Sequence, residues 1–118
     1  MKVAQEFDIV VIGAGHAGCE AAFAAARMGK RVLVTCTDFG SVGFLACNPS
    51  IGGAGKSHLV YEIDAMGGLM GKMADQCCIQ MRMLNPKNGP AVRSLRAQVD
   101  KHEYQAPSAQ RWPAVDRV

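Results

Sequence analysis

A short apolar run, Phe7 to Ile12 (FDIVVI), leads straight into GAGHAG, and the two together leave the chain few ways to fold. The run is rich in Ile and Val, which suits a strand buried on both faces of a parallel sheet. Gly13 breaks it. Ala17 to Met28 is then mostly alanine, with Phe23 and Met28, and Gly29 stands where a C-terminal cap is expected. A helix of such small residues can lie close against a sheet. Arg31 to Thr35 (RVLVT) supplies the next strand, so the first 35 residues form a βαβ unit. That is about the ~30-residue length the crossover requires.

Within GAGHAG, Gly13, Gly15 and Gly18 keep the GxGxxG spacing, and each has a physical task. Gly13 allows the tight turn out of the strand. Gly15 lets the backbone approach a pyrophosphate, and Gly18 permits close packing of helix on strand. Amides at the helix start, aided by its dipole, then meet the negative charge. The pattern alone also fits a glycine-rich structural turn. Its place between a strand and a helix, with a second strand following, favours dinucleotide binding and an α/β, Rossmann-like fold with a parallel sheet. A carboxylate for the ribose hydroxyls should end the second strand. Cys36 stands there instead, and Asp38, two residues on, is the weaker candidate by register. His16, between the glycines, either points into the site or is a surface histidine.

From Thr37 to Gly55 the chain carries Gly40, Gly43, Asn48, Pro49, Gly52, Gly53 and Gly55, which excludes regular structure over most of it. Long loops in compact domains are more often functional than idle, so FLACNPSIGGAGKS is a candidate for ligand contact. GGAGKS does not make a nucleoside triphosphate loop, because that motif needs glycine where Ser50 stands. It can still form a nest of amides. After Ser57, the apolar residues Leu59, Val60, Ile63 and Met66 keep helical spacing until Gly67 and Gly68. Ile79 to Leu84 is expected as a strand, Asn85 to Pro90 as a turn, and Pro90 to about Tyr104 as a helix with Val92, Leu95 and Val99 on one face. Past Gln105, Pro107 and Pro113 break all periodicity, and residues 106–118 are expected to be an irregular tail after a 1–105 domain portion.

At 118 residues the chain holds one ordinary domain at most. It lacks an unbroken apolar run of the ~18 residues a membrane helix requires. Glu6 and Asp8 interrupt any secretory signal, so the expected location is cytoplasmic, with no membrane contact. Cys19, Cys36, Cys47, Cys77 and Cys78 form no CxxC pair, and an odd number points to reduced thiols. Their spacing with His16, His58 and His102 does not resemble a zinc site, so no metal is expected. Basic residues concentrate between Gln76 and Gln105, where Arg82, Lys87, Arg93, Arg96 and Lys101 face only Asp100 and Glu103. Such a face either meets phosphate or is an ordinary solvated surface.

Three runs, GAGHAGCEAAFAAARMG, CNPSIGGAGKSHLVYEIDAMGGLMGK and IQMRMLNPKNGPAVRSLRAQVDKHEY, resemble the MnmG or GidA family, the large flavin subunits of bacterial tRNA wobble-uridine modification complexes. The resemblance covers about residues 7–104. It implies an FAD enzyme that also uses NADH and a folate-derived one-carbon unit. Such an enzyme works as a homodimer with a GTPase partner, MnmE, and acts on tRNA. It installs a carboxymethylaminomethyl or aminomethyl group at carbon 5 of the wobble uridine.

By the same resemblance, Gly13, Ala14, Gly15, His16, Ala17 and Gly18 form the FAD phosphate loop, and Cys47 is a thiol near the flavin. Cys47 then either takes part in covalent chemistry, with a pKa lowered by a nest of amides or Lys56, or is a packing cysteine. Arg93 and Arg96, on the expected helix, are candidate phosphate contacts for tRNA or FAD. Family members continue for several hundred residues, whereas PSAQRWPAVDRV does not align, which suggests a truncated or frameshifted reading frame. The alternative function is accordingly a dinucleotide-binding fragment without catalysis.

Overall fold

The computed structural model describes residues 6–46 and 48–105. Its first unit follows the apolar patterning. Strand β1 (Ile9–Ile12), helix α1 (His16–Arg27) and strand β2 (Val32–Thr35) form a βαβ crossover. The two strands pair in parallel, from Ile9 opposite Val32 to Ile12 opposite Thr35. Gly29, at φ +77°, reverses the chain after α1, a conformation that favours glycine. Asp8 fastens the far end of the pair: its N–H donates to the Arg31 carbonyl at 2.9 Å, and its carboxylate accepts from the Arg31 N–H at 2.8 Å.

One expectation for this unit fails. β1 is not buried on both faces, since Val10 is 55% and Ile12 89% exposed. The apolar pattern is that of a central strand, but among the described residues β1 has β2 as its only strand neighbour.

After a 3-10 turn at Phe39–Ser41, the glycine-rich segment contains one short strand, β3 (Ser50–Gly52). Helix α2 (Ser57–Ala65) ends at Gly67, which has φ +82°. Helix α3 (Met70–Gln76) and strand β4 (Cys78–Leu84) follow. The helix expected from Pro90 to Tyr104 is absent. In its place stand a 3-10 turn at Pro90–Val92, strand β5 (Ser94–Val99) and the short helix α4 (Lys101–Gln105). Leu95 and Val99 satisfy helical spacing, but with Ala97 they also alternate. Antiparallel pairing of β5 with both β3 and β4 settles the choice, because only a strand gives its amides cross-strand partners. Arg96 therefore lies on a strand and Arg93 in the connection before it.

The second sheet runs β3-β5-β4, all antiparallel. Its apolar face packs on α2 and α3 through Ile51, Ala97 and Val99, joined by Leu45, Leu69, Met73, Cys77 and Tyr104. Val99 is 1% exposed, and full burial of such a side chain contributes about 1.5–3 kcal/mol. Phe23 of α1 packs against this cluster and ties the two units together.

Glu20 adds a polar tie. Its carboxylate accepts from the Leu69 N–H at 3.0 and 2.9 Å and from the Met70 N–H at 2.6 Å, so α1 caps the start of α3. The sequence around Met70 carries no local cap, which is why its periodicity does not announce a helix. Residues 106–118, the expected tail, lie outside the described residues. Among those described, no helix is long and apolar enough to cross a membrane.

Candidate functional site

The turn between β1 and α1 takes the shape that its glycines permit. Gly13 sits at φ +101°, a left-handed region costly for any other residue, while its N–H still donates to the Thr35 carbonyl at 2.8 Å. A Cβ on Gly18 would lie within the carbonyl oxygen of Gly13 and 3.0 Å from its carbonyl carbon. That glycine is what lets α1 begin against the end of β1. Gly15 differs from both: its backbone is extended (φ −72°, ψ −178°), and a Cβ there would meet nothing within 4 Å. The space beside it is open to a ligand.

Helix α1 begins without a cap of its own. Its first i to i−4 bond runs from the Cys19 N–H to the Gly15 carbonyl at 2.9 Å, so the amides of His16, Ala17 and Gly18 precede the helical ladder. Gly15 offers no side chain to them, and the first turn holds no acidic residue. Positive dipole and donors thus converge on the space beside Gly15, an arrangement that receives an anion.

Ala14 holds this turn rigid from below. It is 6% exposed, and its carbonyl accepts from the Gly43 N–H at 2.9 Å and the Cys19 Sγ–H at 3.4 Å. Burial pushes the Cys19 thiol pKa up, which keeps it a protonated packing group. Gly43, at φ +64°, brings the long loop back onto the turn, a contact the sequence signalled only as one glycine among several.

His16 is half-buried, its ring edge-on to Tyr104 with centroids 5.9 Å apart. Burial lowers its pKa, and the Glu20 carboxylate one helical turn on opposes that in part. Tyr104, buried in the core, has its pKa pushed above the usual tyrosine range, chiefly by burial. These residues line a cavity of about 20 Å³ with Cys19, Gly43 and Met73, space for about one water. His16 therefore faces protein on one side, and neither sequence alternative, site or surface, describes it fully.

Other candidates are placed as follows. Cys36 is the residue just after β2 and is partly exposed. Asp38 accepts through its backbone carbonyl from the Ser41 N–H at 3.1 Å and hydroxyl at 2.6 Å, and its carboxylate lies over Gly40. Cys47 lies outside the described residues.

In GGAGKS the Ser57 hydroxyl is buried and committed: it donates to the Leu95 carbonyl at 2.6 Å and accepts from the Gly53 N–H at 2.9 Å. That engagement agrees with the exclusion of a triphosphate loop. Gly52, Gly53 and Gly55 all have positive φ, and a Cβ on Gly52 would meet the Leu95 carbonyl, so the segment is a close strand-to-loop crossing.

Comparison with known proteins gives a consistent result. A family model described as glucose inhibited division protein A matches residues 8–112, which extends past residue 104, the expected limit of the resemblance. The tRNA uridine 5-carboxymethylaminomethyl modification enzyme MnmG of Caldicellulosiruptor saccharolyticus is 62% identical over 102 residues, covering 86% of this chain and 16% of that protein. Its namesake from Chloroflexus aurantiacus is 59% identical over 98 residues, covering 83% and 15%. Among solved structures, Aquifex aeolicus GidA in its form II crystal superposes with a TM-score of 0.78 at 55% identity, covering 85% of this chain and 17% of that one. The form I crystal gives 0.79 at 54% identity. The chain thus spans about a sixth of the length of these relatives.

Proposed function

Because the chain belongs to the glucose-inhibited division protein A family, we propose that it supplies the diphosphate-binding segment of an FAD-dependent enzyme that modifies wobble uridine in tRNA. The observation that carries this reading is the open, uncapped start of α1 beside Gly15, where three ladder-free amides meet space a ligand can enter. Gly13, Ala14, Gly15, His16, Ala17 and Gly18 hold the diphosphate: Gly13 turns the chain, the amides donate, and Gly18 keeps the helix close. Bound there, FAD supplies the redox chemistry of the modification. The product is a carboxymethylaminomethyl group at carbon 5 of the uridine, the reaction named for the similar MnmG proteins.

The same reading assigns to the whole protein NADH as reductant, an MnmE-type GTPase as partner, a homodimeric state and a cytoplasmic location. A second reading, a fragment that binds a dinucleotide without catalysis, is favoured by the exposure of Val10 and Ile12 on a strand patterned for burial.

Two measurements test the proposal. Titration of the 118-residue chain with FAD, followed by flavin fluorescence, is expected to show saturable binding that ADP competes away. Absence of both FAD and ADP binding overturns it. A chimera carrying residues 8–104 in place of the matching segment of the Aquifex protein is expected to form the modified uridine in tRNA, detected by nucleoside mass spectrometry. Flavin binding without product would leave the fragment reading standing.

A further inference from the structure

We propose that the polar face of the β3-β5-β4 sheet, centred on Arg82 and Arg96, is a contact surface for the phosphodiester backbone of RNA. The inference rests on the reading of the chain as part of a tRNA-modifying enzyme.

Alternation along the three strands divides their side chains between two faces. Ile51, Met81, Met83, Leu95, Ala97 and Val99 share one face, which enters the core at Ile51, Ala97 and Val99. The opposite face carries Ser50, Gln80, Arg82, Ser94, Arg96 and Gln98, with Leu84 at its end beside Ser94 and Gly52 beside Arg96. On it, Arg82 lies directly opposite Arg96 in the ladder. Directly opposed side chains have Cβ atoms about 5 Å apart, and like charges so placed are destabilising. None of the three strands carries a carboxylate, and neither arginine forms an ion pair among the described residues. Two arginines at facing ladder positions, on strands that carry no carboxylate, make a face arranged to receive an anion from outside.

Two further features suit this role. The Arg96 guanidinium is anchored on one flank: its Nε and Nη2 donate to Ser50 Oγ at 3.1 and 2.9 Å, which orients the planar fork with N–H groups to spare. On the same face, the Ser94 hydroxyl is buried, with Ser94 7% exposed, and has no hydrogen-bond partner among the described residues.

The hairpin loop extends the positive surface. Asn85 Nδ2 donates to the Val92 carbonyl at 3.0 Å and Arg93 Nε to the Asn88 carbonyl at 3.0 Å, closing a loop that exposes Lys87 and Arg93. Four cations on one hairpin match a chain of phosphates better than a single diphosphate, whose glycine turn belongs to the other sheet. Gln80 and Gln98, opposed and exposed, add amides that donate and accept.

The test is binding of a synthetic anticodon stem-loop RNA to the 118-residue chain, with and without FAD, over a range of salt. For the double variant Arg82→Gln/Arg96→Gln, affinity is expected to fall about tenfold or more. The slope of log K against log salt should lose about 1.4, at about 0.7 per single-strand phosphate contact. FAD affinity should stay unchanged. Unaltered RNA affinity and slope in the double variant overturn the proposal, as does a wild-type chain that binds no RNA. Loss of FAD binding with RNA binding retained would assign the arginines to the flavin and also overturn it. Failure of the wild-type chain to bind FAD, with the RNA result as expected, counts against the cofactor reading alone. If circular dichroism shows the double variant unfolded, Lys87→Gln/Arg93→Gln in the exposed loop carries the same expectation.

Discussion

Gly15 and Gly18 belong to one motif, yet the structure gives them opposite sensitivities to a methyl group. Gly18→Ala places a Cβ inside the Gly13 carbonyl, 3.0 Å from its carbon and 3.5 Å from Val11 Cγ1. Swinging that carbonyl aside means rotating the Gly13–Ala14 peptide, which disturbs Ala14, buried and held through its carbonyl by the Gly43 N–H. Overpacking of this kind costs about 1–3 kcal/mol, and a backbone obstacle argues for the upper end. Alanine returns about 1 kcal/mol of helix propensity, leaving a net loss of about 2 kcal/mol. For a domain of this size that lowers Tm by about 10 °C.

Gly15→Ala meets nothing within 4 Å, and its φ of −72° suits any residue. Its stability should stay within about 0.5 kcal/mol of the parent. Its methyl, however, occupies the space assigned to the diphosphate, so FAD affinity should fall about tenfold or more, equivalent to about 1.4 kcal/mol. Urea unfolding followed by circular dichroism reads the first quantity and FAD fluorescence the second. Wild-type stability in Gly18→Ala, or unchanged FAD affinity in Gly15→Ala, refutes the reasoning.

Removing the Glu20 carboxylate (Glu20→Ala) strips both start amides of α3 of their acceptor. The expected loss is about 1–3 kcal/mol, with faster hydrogen exchange at Leu69 and Met70 as its local signature. His16 predicts a pH dependence. Burial lowers its folded pKa below the ordinary 6.5, so the unfolded chain binds more protons as pH drops past that value. Its contribution to stability is fully present above the unfolded pKa and shrinks as acid is added. His16→Gln should flatten the fall in urea midpoint between about pH 7.5 and about pH 5. An identical slope in both proteins would remove the assignment.

The parts of the fold legible in sequence are those whose determinants are local. β1, α1 and β2 follow from apolar runs and from glycines whose tasks the backbone confirms, Gly13 by its positive φ and Gly18 by the space it lacks. α2 followed from the spacing of Leu59, Val60 and Ile63. What failed was set by distant partners. α3 depends on Glu20, 50 residues before Met70, for its cap. β5 carries apolar positions compatible with either period, and pairing with β3 and β4 decided between them. The inward hold on Ala14 by Gly43 and the edge-on contact of His16 with Tyr104 likewise join residues no short-range pattern connects.

Strand β1 has one further consequence. Among the described residues one backbone edge of it has no strand partner, and its apolar side chains, Val10 and Ile12 above all, are exposed beside that edge. An adhesive border of that kind recruits whatever strand or greasy surface comes near, including another copy of itself. Handled alone, the polypeptide should therefore keep its solubility only when dilute, and a cloudy concentrated sample would report this seam rather than a failure of the nucleotide turn beside it.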